Sequence, residues 1–272
     1  RADTIVFDKT GTLTHACPRV AKIVPFNGKE EAEMLRLAAC LEEHFPHSMA
    51  NAVVEEAGRR GLRHEERHGK VEYLVAHGIA SSVDGAQVRI GSAHFIFEDE
   101  KCVIPEDEQA RFDALSPAFS HLYLAINGVL SAVLCISDPL REEARDVLTA
   151  LQSLGVRNAV MLTGDSPRTA AAIAAQLGVD DFQAGVLPAD KAEYVAALRR
   201  EGHTVLMVGD GINDSPALSE ADAGIAISDG AAIAREIADI TIAADSLWEL
   251  VRLRQLAMAL MHRIQNNYRF VI

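Results

Sequence analysis

Asp8-Lys9-Thr10-Gly11-Thr12-Leu13-Thr14 follows directly on the apolar run Ile5-Val6-Phe7, and the rest of the chain is read from this junction. An unbroken apolar run marks a strand buried on both faces. The carboxyl ends of such strands are where open α/β sheets hold ligands. A hydroxyl-and-glycine turn adds backbone N–H groups that can cradle a phosphate. Asp8 is thereby placed to attack phosphorus and become an aspartyl phosphate. Asp8-Lys9-Thr10-Gly11 alone would pass as an ordinary polar turn. The whole heptapeptide after a strand is more specific, and two later segments are weighed with it.

From Arg141 onward, strands and helices alternate. Ala144, Val147, Leu148, Leu151 and Leu154 lie at helical spacing, with Gly155 as a C-terminal cap. Ala159-Val160-Met161-Leu162, Val205-Leu206-Met207-Val208, Gly224-Ile225-Ala226-Ile227 and Ile240-Thr241-Ile242 read as strands, and Arg168 to Leu177 as a helix. Apolar strands alternating with helices specify a parallel sheet covered on both faces, and Ile5-Val6-Phe7 belongs to it. Between about Pro18 and Leu134 the texture changes. Val20 to Phe26 reads as a strand, and Glu30 to Leu41 and Ser48 to Arg60 as helices. Val71 to Ala76, Ile79 to Val83, Gln87 to Ile90, Leu122 to Ile126 and Leu130 to Cys135 read as antiparallel strands. Asp84-Gly85 and Asn127-Gly128 are hairpin-turn signals. An antiparallel α+β module is therefore inserted after the Asp8 strand, with hinges expected near Cys17-Pro18 and Ser137-Asp138-Pro139.

A chain of 272 residues has room for two domains, and 49% hydrophobic with 24% charged residues is an ordinary globular composition. A net charge of −13 argues against a nucleic-acid surface, which needs an excess of Lys and Arg. It suits a phosphate ligand that arrives neutralised by a divalent cation. Cys17, Cys40, Cys102 and Cys135 form no C-x-x-C pair and read as thiols of a reducing compartment. No signal peptide and no apolar run of about 18–20 residues is present. The chain starts almost on its first strand and stops at Asn267-Tyr268-Arg269-Phe270-Val271-Ile272 in an apolar rise, which reads as a piece of a larger polypeptide.

Asp8-Lys9-Thr10-Gly11, Thr163-Gly164-Asp165 and Gly209-Asp210-Gly211-Ile212-Asn213-Asp214 all fall at the carboxyl ends of expected parallel strands, and Lys191 precedes a helix nearby. A nucleophilic carboxylate needs a hydroxyl and N–H groups on the phosphoryl oxygens, a lysine to offset their charge, and acidic residues to hold Mg²⁺. Thr163, Lys191 and Asp210 fit those roles in that order. Taken singly, Thr163-Gly164-Asp165 could cap the next helix, Lys191 could be a solvated helix residue and Asp210-Gly211 a turn. Their coincidence at strand ends favours one site.

The chain resembles the large cytoplasmic loop of a P-type ATPase, an ion pump of the haloacid dehalogenase superfamily. The heptapeptide matches that family's phosphorylation motif, the segments at Thr163 and Gly209 match its other signatures, and Asp138-Pro139-Leu140-Arg141 resembles its hinge-side segment. The resemblance implies a haloacid-dehalogenase-like Rossmannoid α/β fold with helices on both faces of the parallel sheet. Residues 1–17 and 138–245 would be the phosphorylation domain, 18–137 an inserted α+β nucleotide-binding domain with an antiparallel sheet, and 246–272 a stalk helix toward a transmembrane segment. It implies that Asp8 is phosphorylated from ATP, and that Mg²⁺ is held by the Asp8 carboxylate, the Thr10 carbonyl and Asp210. Thr163, with its neighbours Gly164 and Asp165, and Lys191 would serve the phosphoryl group, and Asp214 would support the site. The pump would be an ATP-hydrolysing translocase, its cytoplasmic part carried by a membrane-embedded protein. Its partners are ATP and the actuator and transmembrane domains of the same polypeptide, and the fragment is expected to be monomeric.

The small inserted module resembles that of the heavy-metal-transporting subgroup. There Glu42 and His47 would lie near adenine, although Ser48 stands where the subgroup has proline; a rival register uses His44. Gly78 and Gly91 would let backbone approach the nucleotide, with Ala76 in place of a further glycine. His64, His68 and His77 have no metal-ligand spacing. The helix Leu247 to Ile264 should pack on the sheet in its first half and lead toward a membrane in its second. The transported ion would be chosen by residues outside this chain.

Two other functions compete. A soluble phosphatase of the same superfamily typically places an acid/base two residues after the nucleophile, where this chain has Thr10. A non-catalytic nucleotide sensor would leave the complete Asp8 motif set unexplained.

Overall fold

The computed structural model describes residues 2–15, 17–44, 48–62, 72–74, 78–211, 213–227, 236–243 and 246–271. Two six-stranded sheets organise them. The first contains β1 (Thr4–Asp8), β8 (Asn158–Leu162), β9 (Asp181–Gln183), β10 (Val205–Gly209), β11 (Ala223–Ile227) and β12 (Ile240–Ile242). Its order is β12-β11-β10-β1-β8-β9 and every neighbouring pair is parallel. Ile5 and Phe7 point into a core with α4 (Ala144–Ser153), α5 (Pro167–Leu177) and the start of the C-terminal helix Trp248–Val271. Val6, Leu162 and Met207 point the other way, onto α6 (Pro188–Arg200) and α7 (Ser215–Glu220). Burial on both faces explains the continuous apolar runs.

Two details differ from the expectation. The edge strand β9 was not foreseen, because Asp181-Phe182-Gln183 has no apolar run and its backbone pairs on one side only, with β8. Lys191 lies inside the first turn of α6 rather than before it, since Pro188 opens the helix with a φ already suited to it.

The second sheet is antiparallel, ordered β2-β7-β6-β5-β4-β3. Its strands are β2 (Arg19–Pro25), β3 (Glu72–Leu74), β4 (Gly78–Val83), β5 (Ala86–Gly91), β6 (Ser120–Ile126) and β7 (Val129–Ser137). Helices α1 (Glu31–Glu42) and α2 (Ser48–Arg59) cover one face, where Met34, Leu35 and Val53 meet Ile79, Ile90 and Leu134. Phe26, Phe95 and Ile96 cover the other. Both expected hairpin turns have positive φ at two successive residues, 50° and 82° at Asp84-Gly85 and 51° and 78° at Asn127-Gly128, the signature of a type I′ turn.

The chain leaves and re-enters the parallel-sheet unit side by side, with Arg19 paired to Ser137 and Thr14 bridged to Leu140. On the C-terminal helix Leu250 and Val251 are buried, while Leu256, Leu260, Ile264 and Tyr268 are exposed. Among the described residues no helix is long and apolar enough to cross a membrane. Cys40, Cys102 and Cys135 are buried and Cys17 is exposed.

Candidate active site

β1 lies between β8 and β10, with Asp8 level with Leu162 and Phe7 level with Val208. This register brings Asp8, Thr163 and Asp210 to adjacent strand ends, at the crevice where parallel sheets receive ligands. Lys191 enters from the first turn of α6. Its Nζ donates to Asp8 Oδ1 and to Asp214 Oδ1, each at 2.7 Å. Asp8 is 5% exposed and Asp214 0%, so one ammonium serves two buried carboxylates. The second oxygen of Asp214 accepts from the Asp210 amide at 3.2 Å. Asp210 in turn accepts from the Asn213 amide and side chain, each at 3.0 Å, closing the turn that carries Asp214 inward.

The charges are unbalanced. Burial, then the charge of Asp214, pushes the Asp8 carboxyl up to about 7, against the pull of Lys191. Asp214 is raised chiefly by burial, with Asp210 adding repulsion, again against Lys191. Burial works to lower Lys191, but the two carboxylates hold it above the ordinary lysine range.

Local sequence explains the turn after Asp8. Gly11 adopts φ +76°, a conformation that favours glycine. Its amide donates to Thr14 Oγ1 at 3.0 Å, and the Thr14 amide donates to the Lys9 carbonyl at 3.1 Å. Thr10, half-buried, is extended at φ −76° and ψ 126°.

Thr163-Gly164-Asp165 does not cap the helix that follows. Ser166 does, its hydroxyl accepting from the Thr169 amide at 3.3 Å. The Thr163 hydroxyl instead donates to Asp165 Oδ2 at 3.0 Å and accepts from the Asp165 amide at 3.1 Å. Lys9 Nζ donates to the same Asp165 oxygen at 2.7 Å. Burial would raise Asp165, but Lys9, helped by Ser120 and Thr163, holds it below the usual carboxylate range. At Gly164 an added Cβ would meet nothing nearer than the Val186 carbonyl at 3.8 Å. That leaves open room at this strand end.

The donor set suits magnesium. Asp8 and Asp210 offer hard carboxylate oxygens whose charges repel each other, and a divalent cation would offset the negative charge that adds to burial in raising Asp8. Among the described residues no three His, Cys, Asp or Glu side chains gather into a metal cage. Magnesium needs none, because it keeps waters and phosphate oxygens as ligands.

On the inserted module, Gly78 and Gly91 face each other directly across β4 and β5, and Gly91 also faces Tyr123 on β6. A Cβ on Gly78 would strike the Phe95 ring and stand 2.6 Å from the Ile90 carbonyl, so packing alone requires glycine here. Glu42 is the buried last residue of α1, whose Leu41 shares a core with Ile79 and Ile90. His44 sits 3.7 Å from Glu43. His47, like Ala76, His77, His64 and His68, lies outside the described residues.

Three participants escaped the sequence reading. Lys9 belongs to the heptapeptide, but its type and place there do not specify a partner. Ser120, whose hydroxyl receives Lys9 Nζ at 3.0 Å, lies 111 residues away and carries no local signal. Gly209 is needed because a Cβ there would stand 2.5 Å from Asp214 Oδ2; its place before Asp210 was the available hint.

Residues 2–222 match the haloacid dehalogenase-like hydrolase family model. The chain is 40% identical over 270 residues to the zinc-exporting P-type ATPase of Mycobacterium marinum, covering 98% of this chain and 37% of that protein. It is 36% identical to the silver exporting P-type ATPase of Salmonella typhimurium, over 99% of this chain and 32% of that one. Against the manganese-exporting P-type ATPase of Mycobacterium leprae the identity is 39%, over 98% and 37%. The chain thus spans about a third of the length of these relatives. The catalytic domain of a CPx-ATPase, studied for its conformational changes upon nucleotide binding, superposes with TM-score 0.73 at 26% identity, covering 93% of this chain and 89% of that one. A zinc-transporting PIB-type ATPase in the E2.Pi state superposes with TM-score 0.60 at 38% identity, covering 98% and 43%.

Proposed function

The chain belongs to the haloacid dehalogenase-like hydrolase family, and from that premise we propose that it is the ATP-binding and phosphorylation portion of a P-type ATPase that exports a heavy or transition metal cation. The single observation that carries this is the buried Asp8–Lys191–Asp214 constellation at adjacent parallel-strand ends, with a threonine, Thr10, where a hydrolytic relative would keep its acid/base. The kinship with exporters named for zinc, silver and manganese supports the transition-metal class.

In this reading Asp8 attacks the γ-phosphorus of ATP. The Asp8 Oδ–phosphorus bond forms, the bond from phosphorus to the bridging oxygen breaks, and ADP leaves with that electron pair. Lys191 Nζ, already against Asp8, offsets the charge on the transferring oxygens, and the Gly164 amide and the Thr163 hydroxyl, once turned from Asp165, hold them in place. Asp214 keeps Lys191 aimed, and Gly209 leaves Asp214 its space. Asp8, the Thr10 carbonyl and Asp210 would hold Mg²⁺, which when bound neutralises phosphate charge and favours the ionised form of Asp8. Thr10 cannot take a proton from water as a carboxylate would, so the phosphoenzyme should persist.

The domain division follows the same reading. Residues 1–17 and 138–245 are assigned to phosphorylation, 18–137 to nucleotide binding through Glu42, His47, Gly78 and Gly91, and 246–272 to a stalk. The exposed apolar side chains of the C-terminal helix support that last assignment. The actuator and transmembrane parts of the pump would complete the catalytic cycle.

The test is incubation with ATP labelled at the γ-phosphate and Mg²⁺. An acid-stable, hydroxylamine-sensitive label that disappears in Asp8→Ala is expected. Rapid turnover of simple phosphate esters would point to a phosphatase. ATP binding with no label, unchanged in Asp8→Ala, would point to a sensor.

A further inference from the structure

Lys9 turns to partners other than those of Asp8. Lys9 is 4% exposed, and its ammonium is held between Asp165 of the parallel-sheet unit and Ser120 of the inserted module. Ser120 is the first residue of β6 and is itself 6% exposed. Three residues on, about 10 Å along the strand, Tyr123 pairs with Gly91, which pairs with Gly78. One strand therefore joins the glycine pair proposed for the nucleotide to the lysine adjoining the proposed nucleophile. The same seam holds two further bonds: the Arg168 guanidinium donates to the Asp113 carbonyl at 2.6 Å, and the Thr169 hydroxyl to the Phe119 carbonyl at 3.2 Å. Ser120 also hydrogen-bonds Asp165 directly, and with Arg168 and Thr169 just after Asp165 the start of α5 forms a socket for residues 113–120.

We propose that Ser120 is a positioning residue that, through Lys9, sets the inserted module against the phosphorylation loop and so couples nucleotide placement to transfer onto Asp8. The proposal rests on the functional reading above. Ser120 does not touch the reacting atoms; it accepts a charge-assisted hydrogen bond, the stronger kind. Its loss leaves Lys9 tied to Asp165 and also removes the hydroxyl's own hydrogen bond to Asp165, so β6 gives up both ties at the start of the strand. Transfer from ATP, which engages both units, should suffer. Transfer from a small acyl phosphate, which needs only the Asp8 side, should not.

The experiment compares the wild-type chain with Ser120→Ala and Ser120→Thr, using ATP and acetyl phosphate as donors. For Ser120→Ala, labelling of Asp8 from ATP is expected to slow about ten-fold, the low end for loss of a hydrogen bond to a charged group, with labelling from acetyl phosphate unchanged. Ser120→Thr, which keeps the hydroxyl, should recover most of the ATP rate. Equal loss with both donors, or no loss with ATP, overturns the proposal. Hydrogen exchange gives a readout independent of transfer: Ser120→Ala should speed exchange across residues 113–121 and 165–170 together. Exchange unchanged on the 165–170 side also overturns it. A wild-type chain that takes no label from ATP would refute the functional reading instead, and the exchange result would still decide whether Ser120 joins the two units.

Discussion

Asp8→Asn should make the metal-free protein more stable, and by an amount that grows with pH. The folded chain holds the Asp8 carboxyl at about 7, from its ordinary 3.8, through burial and the neighbouring charge of Asp214. The folded state therefore binds more protons than the unfolded state between about pH 4 and 7, and stability falls as pH rises through that window. Each pH unit is worth about 1.4 kcal/mol, so the full cost of ionised Asp8 is on the order of 4 kcal/mol. Asparagine keeps an oxygen for Lys191 Nζ and leaves Lys191 and Asp214 as a neutral pair, but it loses the charge assistance of the Asp8 bond. The expected net gain is about 2–4 kcal/mol at pH 8 and near zero at pH 4.5, or roughly 4–12 °C in Tm at the higher pH. Calorimetry in chelator-containing buffer across pH 4.5–8 measures it. A variant less stable than wild type at pH 8, or a difference that does not change with pH, would refute the charge-imbalance argument.

Lys191→Met should have the opposite sign, costing about 3–5 kcal/mol at pH 8 because two buried carboxylates lose the ammonium they share. The loss should shrink toward pH 5 and in the Asp8→Asn background, both readable by thermal unfolding. In Gly209→Ala the new methyl would stand 2.5 Å from Asp214 Oδ2, displacing Asp214 and with it Lys191. Labelling of Asp8 should collapse for a stability cost of about 1–3 kcal/mol, which a labelling assay paired with a melt separates. Gly78→Ala drives a methyl into Phe95 and the Ile90 carbonyl. It should destabilise the inserted module by about 1–3 kcal/mol, seen as faster hydrogen exchange in β4 and β5 with protection of β1 and β10 retained.

The parallel sheet was legible because its inner strands are buried on both faces, which writes them as unbroken apolar runs: Ile5-Val6-Phe7, Val160-Met161-Leu162 and Leu206-Met207-Val208 are each found as strand. The hairpins were legible because Asp84-Gly85 and Asn127-Gly128 carry the residues that tolerate positive φ. Asp8, Thr163, Asp210 and Asp214 could be singled out because each follows such a strand within a short motif. Backbone chemistry that is local in the chain leaves a local mark. β9 left none, since its Asp181-Phe182-Gln183 has no apolar run and its pairing lies on one side only. The sharing of Lys191 between Asp8, 183 residues away, and Asp214 follows from register and helix placement, which no short window contains. Nor could composition reveal that Asp8 is raised, because the cause is burial beside a second carboxylate. Ser120 is the clearest case: a serine among many, given a role only when folding sets it 3.0 Å from Lys9. Residue types and their spacing determined which chemistry the chain can attempt. Packing decided which charges must face one another, because desolvation and Coulomb energies depend on distance through space and not along the chain.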